Sequence, residues 1–151
     1  MTGSGSRRRA AGLVGAALVA FAATFGISVV GAAPARAAAC QGDEGVTVVV
    51  DFGSLGGTSV RCAAGDPGSG VGALEMAGFV VTGTQQYGKA FVCRIDGLPT
   101  DETEPCGRTP SGQQYWSYSY AEPGGSWTYS GSGASNRDPV PGSVEGWKFG
   151  A

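Results

Sequence analysis

The chain has 151 residues, with 28 Gly and 8 Pro, a composition that suits one loop-rich or sheet-rich domain and argues against a helical bundle. Its formal net charge is −2, but all twelve acidic residues follow position 39 while four of the ten basic ones precede it. Residues 40–151 therefore carry 6 − 12 = −6, which leaves no basic stripe for nucleic-acid phosphates and disfavours an anionic membrane surface.

The N-terminus reads as a secretory signal peptide over 1–39. Arg7-Arg8-Arg9 is a positive n-region, Ala10 to Ala33 carries no charge, and Ala35-Arg36-Ala37 and Ala37-Ala38-Ala39 are small-residue cleavage patterns. The uncharged run is also long enough to span a bilayer, but 13 of its 24 positions are Ala or Gly and Pro34 follows it, so cleavage is the expectation. What remains, 40–151, is read as a single domain that is secreted and extracellular.

Val46-Thr47-Val48-Val49-Val50-Asp51-Phe52 is a β-branched run between Gly45 and Gly53, and Thr58-Ser59-Val60-Arg61-Cys62 returns as its hairpin partner. Asp66 or Ser69 can cap a short helix over Val71, Leu74, Met76 and Ala77, which Gly78 ends. Phe79 to Thr82 and Ala90 to Ile95 are the next strands. Asp96-Gly97 is a turn, and Leu98 to Pro110 an acidic loop with Asp101, Glu102 and Glu104. That loop lacks the ligand alternation and central Gly of an EF-hand and is read as solvated, with no metal. Tyr115 to Tyr120, Trp127 to Tyr129, and Val144 to Phe149 complete an α+β domain of about six or seven short strands and one short helix.

Cys40, Cys62, Cys93 and Cys106 make an even set in an exported chain, which implies two disulfides. Of three pairings the local one, Cys40–Cys62 with Cys93–Cys106, is favoured because it closes short connections of 62 − 40 − 1 = 21 and 106 − 93 − 1 = 12 residues. Ala37-Ala38-Ala39-Cys40 also ends like a lipoprotein box, but lipidating Cys40 would strand one thiol. Zinc is disfavoured by the absence of histidine and of any close Cys pair.

The same composition argues against an enzyme: no histidine means no Ser-His-Asp or Cys-His arrangement, and no phosphate loop or convergent carboxylate pair stands out, so no catalytic residue and no cofactor is assigned. The aromatic residues are the candidate ligand-binding set. Trp116, Tyr118 and Tyr120 alternate along one strand and share a face, opposite Tyr115, Ser117 and Ser119. With Trp127 and Tyr129 they could wall a flat site with polar tips. Because a small sheet needs a core, Trp116, Tyr118 and Tyr120 are read mainly as core. Tyr115, Trp127 and Tyr129 are the better candidates for contact with a partner.

Four segments carry a resemblance: Gly72-Ala73-Leu74-Glu75-Met76-Ala77-Gly78-Phe79, Phe91-Val92-Cys93-Arg94-Ile95-Asp96-Gly97, the Tyr115-Trp116-Ser117-Tyr118 run, and Gly142-Ser143-Val144-Glu145-Gly146-Trp147-Lys148-Phe149. Together they resemble the secreted β-grasp-like domains related to the C-terminal domain of transcobalamin, in the style of exported actinobacterial proteins. The resemblance implies a β-grasp-like mixed sheet and a non-enzymatic module that captures a small molecule, corrinoid-like, for an uptake system, or else interacts with an envelope protein. The sequence departs from that family where Ala121-Glu122-Pro123-Gly124-Gly125 replaces a short turn, and no helical partner domain accompanies it, so corrinoid binding would be half-sited or need a partner.

Overall fold

The Val-rich run forms the strand it predicts because β-branched side chains pack well on a pleated surface. In the computed structural model, which describes Met1, residues 38–110 and residues 112–150, this strand is β1, Gly45–Asp51. The signal-peptide reading of 1–39 falls almost wholly on residues outside those described. Val46, Val48 and Val50 are fully buried, while Thr47, Val49 and Asp51 on the other face are half-buried.

The chain turns through a single 3-10 turn at Gly53–Leu55 and returns antiparallel as β2, Thr58–Ala64, with Val49 opposite Val60. The helix α1, Gly70–Met76, follows. Of the two cap candidates Ser69 serves: its Oγ accepts from the Gly72 N–H at 2.9 Å, satisfying a donor the first helical turn leaves free. Val71, Ala73 and Leu74 are buried, and Gly78 ends the helix at a φ of 79°, which a side chain would resist.

Strands β3, Val81–Thr84, and β4, Gly88–Ile95, pair as an antiparallel ribbon. After β4 the predicted turn has Asp96 and Gly97 both at positive φ, 49° and 78°, closed by mutual Ile95 and Leu98 backbone bonds of 3.0 Å. Asp96 is more than a turn residue. Its carboxylate accepts from the Val80 N–H at 2.8 Å and from Arg61 at 2.9 Å, while the Arg61 guanidinium lies 3.8 Å over the Phe79 ring and donates to the Gly78 carbonyl. One arginine on β2 thereby ties the helix end to the ribbon.

The remaining strands are β5, Trp116–Ala121, β6, Thr128–Tyr129, and β7, Val144–Phe149. Among the described residues the seven strands divide into a five-stranded mixed sheet of order β2-β1-β7-β5-β6 and the two-stranded ribbon β3-β4. The C-terminal strand β7 inserts between β1, to which it is parallel, and β5, to which it is antiparallel. This α+β architecture with one short helix agrees with the sequence expectation, as do the disulfides Cys40–Cys62 and Cys93–Cys106. Such bonds persist in an oxidising compartment. No helix among the described residues is long and apolar enough to cross a membrane.

One face of the five-stranded sheet, with Val48, Val50, Trp116, Tyr118, Trp147 and Phe149, meets Leu74 of α1, Phe79 and the ribbon residues Val92 and Ile95 in a single core. Trp116 sits edge-on between Phe52 and Phe149, with ring centroids at 5.4 and 5.3 Å, an arrangement favoured by the ring quadrupole. The opposite face of the sheet carries Val49, Asp51, Ser117, Ser119, Gly146 and Lys148.

Candidate ligand-binding faces of the aromatic sheet

Strand alternation decides where each aromatic candidate goes. Trp116 and Tyr118 pair across the ladder with Phe149 and Trp147, so all four point to the core face, and Trp116 and Tyr118 are only 6% and 5% exposed. Tyr120, on the same face and half-buried, is covered by the Arg137 guanidinium 3.4 Å from its ring centroid. Trp127 and Tyr129 are 53% and 65% exposed, and Tyr115 is half-buried. Trp127 lies just ahead of the two-residue strand β6 rather than within it. The six residues therefore do not form one platform.

Trp127 closes one side of a groove of about 360 Å³ on the solvent face of the sheet. Its indole lies on Gly146 of β7: a Cβ built on that glycine would come within 2.5 Å of Trp127 Cζ3 and 2.8 Å of Cη2. Gly146 thus permits the ring to rest on the strand backbone. The walls also include Val49, Asp51, Thr58, Ser117, Ser119 and Lys148. One carboxylate, one ammonium and three hydroxyls consequently surround a half-exposed indole. Asp51 Oδ1 accepts from the Gly53 N–H at 2.9 Å, and Ser117 Oγ donates to the Lys148 carbonyl at 3.1 Å, so two of these groups are held in place by backbone.

On the core side of the same sheet, a smaller cleft of about 130 Å³ opens between β5, β4 and the segment after β6. Tyr115, Trp116, Tyr118 and Tyr129 all border it, with Phe91 of β4 and Trp147 of β7. The structure thus gathers four of the six aromatic candidates at this cleft and sends Trp127 to the groove. Tyr120 lines neither.

Beneath the cleft lies a polar cluster that residue-by-residue reading did not identify. Glu145 of β7 is fully buried, accepts a short hydrogen bond from the Tyr118 hydroxyl on Oε2, and pairs through Oε1 with Arg137 Nε at 3.3 Å. Burial pushes the Glu145 carboxyl above its ordinary range, against the opposing pull of Tyr118 and Arg137. Burial and then the Glu145 carboxylate push the Tyr118 phenol up as well. The signal available in the sequence was a lone acid alternating with Trp147 and Phe149 on an apolar face. The partner, Arg137, lies in an irregular segment whose path no local pattern fixes.

The acidic loop holds no metal-binding constellation of free donors. Cys93, Glu104 and Cys106 bring ligand-type atoms within 4.8 Å of one another, but both sulfurs are spent in a disulfide and Glu104 Oε1 accepts from the Cys106 N–H at 2.8 Å. Arg94 replaces a cation there: it donates from Nε to the Pro99 carbonyl at 2.8 Å, donates again to the Glu104 carbonyl, and pairs with Asp101. Comparison of the chain with protein-family models, with curated proteins and with solved structures finds no match.

Proposed function

We propose that the chain is a secreted, non-enzymatic binding module that holds a small ligand against Trp127 in the groove on the solvent face of the sheet. The observation that carries this reading is the half-exposed indole seated on Gly146 and ringed by Asp51, Lys148, Thr58, Ser117 and Ser119. An indole combines a broad apolar face with a polar edge, which suits contact with a ligand of the same character. The groove volume lies at the low end of the roughly 300–1,000 Å³ typical of small-molecule sites. Its mixture of one aromatic face with donors and acceptors suits a ligand with a flat apolar side and polar edges, such as part of a corrinoid ring or a sugar ring. Secretion is supported by the signal-like N-terminus together with the two disulfides. A non-enzymatic role is supported by the lack of histidine and by the pairing of all four cysteines.

The test is equilibrium dialysis of the purified protein against cobinamide, cobalamin and cellotriose, with Trp127→Ala as the control. Saturable retention of at least one probe, lost in the variant, is the expected outcome. Retention of none of them overturns the small-ligand reading. The envelope-interaction reading then gains, since the exposed Trp127 and Tyr129 rings, each on its own face, also suit contact with a protein.

A further inference from the structure

Strand register arranges the groove beside Trp127 into two parallel rows. Thr58 of β2 stands opposite Asp51 of β1, Asp51 beside Lys148 of β7, and Lys148 opposite Ser117 of β5. This puts a polar side chain on each of four adjacent strands, about 4.8 Å apart. Two residues along the strands, roughly 7 Å away, runs a second row of Val49, Gly146 and Ser119, and the Trp127 indole rests on its glycine. A row carrying an aromatic ring thus lies about one sugar ring's width from a row of hydrogen-bonding groups.

The polar row is largely uncommitted. Asp51 accepts from the Gly53 N–H on Oδ1, which leaves Oδ2 over. Asp51 and Lys148 are opposite charges in register, yet the ion pairs among the described residues, at Arg61, Lys89, Arg94 and Arg137, include neither. The row therefore offers a strong acceptor beside a strong donor, with the hydroxyls of Thr58 and Ser117 at its two ends. With one charge of each sign on neighbouring strands, a singly charged ligand is attracted by one and repelled by the other. A neutral polyol meets no such conflict, because each hydroxyl both donates and accepts.

We infer that the ligand of this groove is a neutral oligosaccharide, with the C–H face of one ring against the Trp127 indole and its hydroxyls on Asp51, Lys148, Thr58 and Ser117. The inference rests on the binding reading above and narrows it: among flat ligands with polar edges, it selects the sugar over the corrinoid. Size agrees, since a groove of about 360 Å³ is at the low end for small-molecule sites and a corrinoid macrocycle is far bulkier than a pyranose ring.

The test follows the indole N–H resonance of Trp127 in ¹⁵N-labelled protein, identified among the three tryptophans by its loss in Trp127→Ala. The probes are cellotriose, maltotriose, tri-N-acetylchitotriose, the anionic trigalacturonic acid, and cobinamide. At least one neutral trisaccharide is expected to shift the signal saturably and independently of salt, and trigalacturonic acid to bind no more tightly. Lys148→Ala and Asp51→Asn are each expected to weaken that binding about ten-fold, the worth of one hydrogen bond to a charged group. Lys148 is exposed, and Asp51→Asn keeps an oxygen for the Gly53 N–H, so both variants spare the sheet. If cobinamide moves the signal and no neutral sugar does, the carbohydrate inference falls while the small-ligand reading stands; if no probe moves it, both fall. Sugar binding that either variant leaves unchanged, or tighter and salt-sensitive binding of trigalacturonic acid, also overturns the inference.

Discussion

At the scale of single residues, two positions govern what the sheet can do on its two faces. Gly146 has no special backbone angle, yet any side chain there meets the Trp127 ring. Gly146→Ala should push the indole off the strand while changing stability by less than about 1 kcal/mol, because the clash falls on the far end of a surface side chain. Trp127 emission should shift, and whatever affinity the groove has should fall at least ten-fold; an unchanged spectrum with unchanged binding would show that the seat on Gly146 is immaterial. Glu145 acts on the other face. Its folded-state pKa is raised by burial above the ordinary carboxylate range, so the folded protein holds this proton more tightly than the unfolded chain does. The sign follows from linkage: this group's contribution is most favourable below the unfolded carboxylate value and is lost as pH rises from there through the raised folded value. Glu145→Gln removes that loss. Measured by urea midpoints from about pH 5 to about pH 8, the variant should gain on the wild type as pH rises, and a pH-independent difference would contradict the burial penalty.

At the scale of elements, the two disulfides look alike in sequence and differ in setting. Cys40–Cys62 fastens the entry segment to edge strand β2 with both residues half-buried, whereas Cys93 and Cys106, only 2% and 3% exposed, tie the acidic loop to β4. Chain entropy alone ranks the first slightly ahead, because it closes a longer loop, with either bond contributing about 3 kcal/mol. Burial reverses the order. Replacing Cys93 and Cys106 by serine would leave two buried hydroxyls where a compact disulfide stood, so this double variant should lose more stability than Cys40→Ser with Cys62→Ser, each costing within about 2–5 kcal/mol in urea denaturation. The loop should nonetheless stay near β4 when its disulfide is gone, because Arg94 still binds the Pro99 and Glu104 carbonyls. Helix α1 is similarly over-determined: Ser69 caps it, and Gly70 lets the Tyr118 hydroxyl pass where a Cβ would stand 2.1 Å away.

At the scale of the whole molecule, what could be read along the chain was local. The strand spanning Val46 to Val50, the Ser69 cap, the Asp96-Gly97 turn, the alternation that buries Trp116 and Tyr118 but not Ser117, and the pairing of nearby cysteines all follow from period, propensity and short loops. The six aromatic candidates were legible as a set but not as a site. Their separation into a groove and a cleft depends on β7 lying between β1 and β5, a parallel pairing made across nearly the whole domain, and no pattern within β7 specifies its neighbours. The same insertion puts Gly146 under Trp127 and Glu145 beside Tyr118 and Arg137, contacts between residues 8 to 27 positions apart whose closeness rests on side-chain packing. The elements and the apolar side of each strand are legible along the chain because they depend on neighbours a few residues away, whereas the cysteine pairing was only favoured there and is fixed by the structure. Which aromatic rings reach solvent, and where the groove and the cleft open, rest on the tertiary structure, because they depend on which strand lies next to which.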